Sequence, residues 1–472
     1  MIDLKNLTIE KAHDSLKKGE YTCKDLAEAY LVMVKEKDQD IHAYLEIYDD
    51  VLAQVEIAQK MFAEGKDTLL TGIPFSIKDN ILIQGQTVSA GSKILEHYTA
   101  PYNATVIKEL KNSGAVFLGR ANMDEFAMGS STEHSAYGPT KNPYDLTRVP
   151  GGTSGGSAAS VAADMALVSL GTETCGSVRE PAAFCGVVGL KPTYGGLSRH
   201  GVIAMGNSLD QVSPIGKTVS DVEIVFKTLS KHDKNDATSI KDENRIPKKN
   251  NGNGKKIGIP WHLFESDLKD EQIMQNFKSS VEKLKNVGYE IVDIELPYSK
   301  YSLAVYYIVM PAEVSTNLSR FDGVRYGLSI PGDGVSGVYK QSRTKGFGSE
   351  ARRRIILGNY ILSKGLSGAY GKALNVRHAI TKETEKIFKE VDFIMTPTVP
   401  FLPFKLGEKI DDPVAMYLCD LFNAPANLTG TPSIAVPSGI SKEGLPFSVQ
   451  FTASHWEEDA LFEIGKKFEI IK

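Results

Sequence analysis

Two glycine-studded turns carry the residues best suited to covalent chemistry. The first is Gly151-Gly152-Thr153-Ser154-Gly155-Gly156 and the second Thr174-Cys175-Gly176-Ser177. Glycines tolerate left-handed backbone, so main-chain N–H groups on such turns can converge on one point. A hydroxyl placed there, just after an apolar strand, is where a nucleophile and its oxyanion hole are built. Two plainer readings compete. Gly/Ser-rich stretches also serve as flexible linkers, but apolar runs bound this one and an alanine-rich segment interrupts it. A phosphate-cradling loop would end in Gly-Lys-Ser/Thr, and that ending is missing here. Lys78, at the end of Ile73-Pro-Phe75-Ser-Ile77, reads by itself as a solvated strand end.

These turns need a scaffold. The 472 residues permit a large α/β domain or two to three smaller ones, and 42% hydrophobic with 24% charged residues suit a globular core. Lys+Arg 54 against Asp+Glu 58 leaves a net charge of −4, which argues against a chain whose main task is to coat nucleic acid. Cys23, Cys175, Cys185 and Cys419 have no metal-ligand spacing, so reduced thiols and no metal site are expected. The nine histidines are scattered. No run approaches the ~18 apolar residues of a membrane span, and the N-terminus has no leader character, so the expectation is a soluble cytoplasmic protein.

Residues 8–35 predict two helices, the second opened by a Thr22/Asp25 capping pair. Leu26, Ala29, Tyr30, Met33 and Val34 recur at helical spacing and predict a docking face on the main body. A third helix is expected over 50–64. Ile73, Phe75 and Ile77 alternate as in a strand; a helix over 105–112, Gly114 and a strand over 115–118 continue the rhythm of an α/β sheet. Residues 157–166 read as an alanine-rich helix and 167–170 as a strand. The charged stretch 231–256 predicts a surface loop. Strands at 257–260 and 289–296 around a helix at 270–287 then resume the pattern, followed by a helix at 370–390 and a strand from Phe393. Apolar runs within 427–437 and 445–450, punctuated by Pro and Gly, suit the far edge of a large sheet.

In order, Gly72-Ile-Pro-Phe-Ser-Ile-Lys78-Asp-Asn, Pro150-Gly-Gly-Thr153-Ser-Gly-Gly-Ser and Gly171-Thr-Glu-Thr-Cys-Gly-Ser177-Val-Arg-Glu-Pro, continued by Phe184-Cys-Gly-Val-Val-Gly-Leu-Lys-Pro-Thr193, resemble the amidase signature family over essentially the whole chain. The resemblance implies an α/β fold, a large mixed sheet with helices on both faces. It also implies one domain over 1–472, divided into N-terminal helices (1–65), the catalytic core (66–230), the surface loop (231–256) and the rest of the sheet with the substrate pocket (257–472). By position, Ser177 matches the family's nucleophile, Lys78 its general base and Thr153 the bridging residue, which is placed in a cis peptide. Such a relay is chemically coherent. A serine hydroxyl needs a neighbour to take its proton, a lysine can do so once burial makes it neutral, and a hydroxyl between them both donates and accepts. The N–H groups of Thr174, Cys175, Gly176 and Ser177 match the oxyanion hole. Three positions depart from the usual pattern: Thr153 replaces serine, Glu173 aspartate and Cys175 glycine. Cys175 cannot adopt glycine-only angles, and Ser154, next to the bridge, is expected to point elsewhere.

Asn122–Glu133, Asn317–Gly327, Phe347–Gly358 and Ile410–Tyr417, with Asp420, look like the branch of the family formed by A subunits of glutamyl-tRNA(Gln) amidotransferases. That branch implies glutamine hydrolysis, with ammonia passed to a B subunit that amidates Glu-tRNA(Gln) and a small C subunit wrapping the pair. It implies no cofactor in this chain, and ATP with magnesium in the partner. Arg353 or its neighbour Arg354, Asp420 and Tyr306 match the clamp on glutamine's carboxylate and amino groups. Three consecutive arginines cannot all face inward, so one inside and two outside is expected. Two other readings remain at this point: a stand-alone amidase and an assembly subunit with an impaired site.

Overall fold

The period of two along Pro74–Lys78 explains how this protein holds its chemistry. In the computed structural model, which describes residues 2–247, 254–264, 268, 270–363, 366 and 368–471, Phe75 and Ile77 enter the largest apolar core. Ser76 and Lys78 alternate to the opposite face. There Ser76 Oγ bonds Ser160 Oγ of the helix Gly155–Ala162 and Ser169 Oγ of the next strand, each at 2.7 Å. A separate small-residue cluster, with Ala158, Ala159, Val161, Val178 and Ala182, fills that side.

The strands are β1 (Tyr44–Ile47), β2 (Pro74–Lys78), β3 (Val116–Ala121), β4 (Val168–Glu173), β5 (Val188–Lys191), β6 (Gln211–Gly216), β7 (Lys256–Ile259), β8 (Glu290–Asp293), β9 (Phe393–Pro397), β10 (Ser433–Ile440) and β11 (Pro446–Ala453). Among the described residues they make one 11-stranded sheet in the order β1-β3-β2-β4-β6-β5-β10-β11-β9-β7-β8. β2 runs parallel to β3 and β4, whereas β4–β6, β6–β5, β5–β10 and β10–β11 are antiparallel. Strands before and after the 231–256 segment thus share hydrogen bonds through one mixed sheet.

Several local expectations hold. Thr22 and Asp25 form a full capping box on Cys23–Ile41, and Leu26, Tyr30 and Val34 are buried. The alanine-rich helix ends earlier than expected, at Ala162. Asp164 adopts φ 62° and the N–H groups of Met165 and Ala166 turn back to Ser160 O; the turn that aims β4 at the site overrides alanine's helix preference. The strand expected over 289–296 covers only Glu290–Asp293. Within the charged segment, Asp233 is buried and accepts from Thr105 and Ser198 hydroxyls at 2.6 Å each, so its first part is pinned to the body. The part of that loop at 248–253 lies outside the described residues.

Three helices form a separate layer. Ser302–Asn317, Ser349–Leu362 and Ala369–Ile387 share a second apolar cluster, which also receives Cys175. Gly358 lets the first two helices touch, since a Cβ there would overlap the Pro311 carbonyl. Among the described residues, no helix is long and apolar enough to cross a membrane.

Candidate active site

Lys78 ends β2 with its ammonium nitrogen fully buried between the two glycine turns. Nζ lies 2.9 Å from Thr153 Oγ1, 2.7 Å from Ser154 Oγ and 3.1 Å from the Thr172 carbonyl. Burial pushes the lysine down to about 7, against the opposing pull of Asp124, Asp210 and Glu173. A buried amine near neutrality is a competent proton acceptor at physiological pH.

Both neighbouring hydroxyls therefore face the lysine, which corrects the expectation that Ser154 points elsewhere. Ser154 sits at φ −106°, ψ 35°, on the turn into the helix Gly155–Ala162, and this swings its side chain to the same side as that of Thr153. Their roles still differ. Ser154 Oγ donates to Thr172 O at 3.1 Å, so its proton is committed. The Thr153 hydroxyl has no other acceptor among the described hydrogen bonds and is the one free to relay. We predict that Thr153→Val lowers turnover by about 10²- to 10³-fold, the range for a positioned acid–base group, and that Ser154→Ala lowers it about tenfold or less. Steady-state ammonia release checks this; equal losses would assign the relay to either hydroxyl. The expected cis peptide is not found among the described residues.

Ser177 is buried on the turn after β4, and its carbonyl accepts Ser154 N–H at 3.1 Å. Its Oγ makes no hydrogen bond among the described residues, so the link to Thr153 is open here, as catalytic contacts in ligand-free enzymes often are. Gly176 adopts φ 69°, a conformation that favours glycine. Cys175 does not have positive φ, so no glycine-only angle is demanded where the family pattern has glycine. Its thiol is buried and pushed well up by that burial, the state of an inert packing group. All four cysteines are buried and free.

The four N–H groups expected to meet an oxyanion differ in their hydrogen bonding. Gly176 N–H points to Glu173 Oε1 at 3.3 Å, so it is already committed. Thr174, Cys175 and Ser177 N–H make no hydrogen bond among the described residues, which leaves them as the donors available to a developing oxyanion. Glu173 also accepts from Val178 and Arg179 N–H at 3.2 and 3.1 Å, and Arg179 Nη2 reaches it at 2.5 Å. Arg179 is fully buried and continues to Gln450, Asn427 and the Asn423 carbonyl. Burial would raise the Glu173 carboxyl, but the Arg179 charge and hydrogen bonds outweigh it and hold the group below its ordinary value. The longer glutamate arm thus braces the nucleophile turn from behind; losing one partner of such a pair costs about 3–5 kcal/mol.

Of the residues expected to clamp the substrate, Tyr306, Arg353 and Arg354 lie on the helical layer and Asp420 on the short turn Leu418–Asp420. Arg354 is the arginine inside, its side chain 3% exposed, whereas that of Arg353 is 34% exposed. Arg353 lies over the Tyr417 ring at 5.5 Å; the one-residue step of about 100° around a helix separates the two fates. Both pair with Glu350, and Arg354 also donates to Gly129 O at 3.1 Å. Tyr306 is buried beside Cys175 in the helical cluster. Asp420 is buried, accepts from Tyr307 OH at 2.6 Å and is pushed up to about 7, by burial above all. Tyr307, stacked on Tyr417 at 3.5 Å, carries no signal in the sequence beyond its neighbour Tyr306.

Comparison with known proteins gives the family. A family model described as Amidase covers residues 25–462. A curated relative from Koribacter versatilis is 46% identical over 99% of both chains, and one from Thermoanaerobacter pseudethanolicus is 44% identical over 99% of this chain and 97% of its own. Both bear the name of the A subunit of glutamyl-tRNA(Gln) amidotransferase. The crystal structure of the protein of that name from Thermotoga maritima is 40% identical with a TM-score of 0.80, covering 98% of this chain and 94% of its own. Peptide amidase from Stenotrophomonas maltophilia, at 24% identity and a TM-score of 0.83 over 99% of this chain and 97% of its own, shares the fold. The buried lysine, its hydroxyl neighbours and the serine turn sit within the matched span, and the chain belongs to the amidase family.

Proposed function

We propose that this chain is the glutamine-hydrolysing A subunit of a tRNA-dependent amidotransferase. The observation that carries the chemistry is the buried, near-neutral Lys78 at 2.9 Å from Thr153 Oγ1, on a turn whose Ser154 N–H bonds the Ser177 carbonyl at 3.1 Å. The branch of the family is carried by relatives 43–46% identical over nearly their whole length that bear the name of that component. In the reaction, Ser177 Oγ attacks the side-chain amide carbon of glutamine while its proton passes through Thr153 to neutral Lys78. Negative charge on the former carbonyl oxygen meets the N–H groups of Thr174, Cys175 and Ser177. Collapse returns the proton to nitrogen, ammonia leaves, and a γ-glutamyl ester remains on Ser177. Water activated through the same relay then releases glutamate.

Arg354 and Asp420 suit the two charged ends of the amino acid, with Tyr306 as a wall and Arg353 outside. The partners in this reading are a B subunit, which uses ATP and magnesium to amidate Glu-tRNA(Gln), and a C subunit, with the whole complex in the cytoplasm; this chain itself uses no cofactor. The test is ammonia release from glutamine by the chain co-purified with its B and C partners. Release that rises with Glu-tRNA(Gln) and ATP supports the reading. Equal release by the chain alone would favour a stand-alone amidase, and none from the intact complex an impaired component.

A further inference from the structure

Glu180 lies on the short helix Arg179–Phe184, three residues after the nucleophile, and its N–H donates to Gly176 O at 2.8 Å. Its side chain is buried, yet neither carboxyl oxygen has a hydrogen-bond partner among the described residues. The Gly152 N–H, which faces the carboxyl and favours its charged form, has its hydrogen bond committed to Ser130 O at 2.9 Å. The Cys419 thiol beside the carboxyl is only a weak donor. Asp420, the charge that bears most on Glu180, is also buried and leaves Oδ1 unpartnered. Asn423, packed against Gly176, leaves its Oδ1 unpartnered too.

Buried acceptors without donors are rare, and each costs about 1–3 kcal/mol. Burial above all, and then the neighbouring Asp420, push the Glu180 carboxyl well above its ordinary range, so its charged form is costly until a cation sits beside it. Packing does not explain the arrangement, since a leucine-like side chain would fill the same space without penalty. The group that answers it is rich in N–H donors, has no acceptor and carries positive charge. An ammonium fits all three conditions.

We propose that Glu180 is a substrate-binding residue that shares the α-ammonium group of the amino-acid amide with Asp420, so that the site selects amides bearing that group over the same chain without it. The inference rests on the glutaminase reading and adds to it a specificity residue. The geometry is economical. Glu180 and Ser177 leave one turn in succession, so recognition of the ammonium fixes the substrate relative to the nucleophile. Arg354, on the helical layer, remains for the carboxylate.

The test uses the complex with its B and C partners and a Ser177→Ala background, so that ligand stays intact. Calorimetry measures Kd for L-glutamine and for glutaric acid monoamide, which lacks the amino group, with and without Glu180→Gln. This isosteric variant keeps the side-chain volume but cannot ionise, and an unchanged melting temperature verifies its fold. The expected result is glutamine binding weakened by about 10- to 100-fold, the range for a hydrogen bond to a charged group, with the monoamide changed less than about threefold on the same scale. Equal weakening of both ligands, or unchanged glutamine binding, overturns the inference alone if the wild-type complex still releases ammonia from glutamine. A wild-type complex that neither binds glutamine nor hydrolyses it overturns the glutaminase reading and this inference together.

Discussion

Ser177→Ala lowers ammonia release from glutamine by at least about 10³-fold, because covalent catalysis has no second nucleophile to fall back on. Thr153 and Ser154 are tied to Lys78, and the Cys175 thiol, pushed well up by burial, is not a thiolate at neutral pH. The fold should survive, since Ser177 Oγ makes no hydrogen bond among the described residues and the brace between Glu173 and Arg179 holds the turn from its other side. Two measurements check the result. Steady-state release gives the loss, and trapping with hydroxylamine reports the γ-glutamyl ester, present in the wild type and absent in the variant. Retained trapping in Ser177→Ala would place the acyl group on another side chain and remove the central step of the mechanism.

The residues proposed to carry this chemistry were legible because each sits in a local pattern. Lys78 follows an alternating apolar strand, and Ser177 follows a glycine in a turn after another. The rhythm of strand, helix and glycine also announced an α/β sheet. The strand order was not legible: β6 inserts antiparallel between β4 and β5, and β10 and β11 continue from there, a pairing fixed by contacts far apart in the chain. Side-chain direction at turns was also hidden. Whether Ser154 faces Lys78 depends on one ψ angle at a helix entry, and whether Arg353 or Arg354 turns inward depends on helix phase. Composition gives neither. Glu180 reads as an ordinary glutamate in the sequence; only the missing donors around it make it conspicuous.

The departures from the family pattern acquire physical meaning together. Glu173 reaches Gly176, Val178 and Arg179 N–H with one carboxylate, so the longer arm takes up one oxyanion candidate while fixing the others. Cys175 needs no special backbone angle and buries a thiol beside Asp420. Thr153 keeps its hydroxyl on Lys78 at hydrogen-bond distance, and its added methyl restricts χ1 to few rotamers. Each change keeps the group that the proposed chemistry uses.

Lys78→Met separates the lysine's two roles, since it removes the base and also relieves the burial of a charge. Turnover should fall by at least about 10³-fold, because among the described residues no other titratable group bonds the Thr153 hydroxyl. The wild-type kcat/KM should rise with pH through about 7, where the amine loses its proton, and this acid limb should vanish from any residual activity of the variant. Stability moves the other way. The folded-state lysine is lowered from 10.5 to about 7, so between those values the unfolded chain binds more protons and the wild type gains stability as pH rises. Below about 7 the cost of burying the charged amine is fully present. Lys78→Met should therefore be the more stable protein at pH 6, by an amount on the order of a few kcal/mol, less whatever the stranded Thr153 and Ser154 hydroxyls cost. The gap should narrow as pH climbs toward 10. Urea unfolding of both proteins across that range checks the sign. A gap that widens with pH would mean that the lysine is held protonated in the fold, and that its base role requires substrate to expel the proton first.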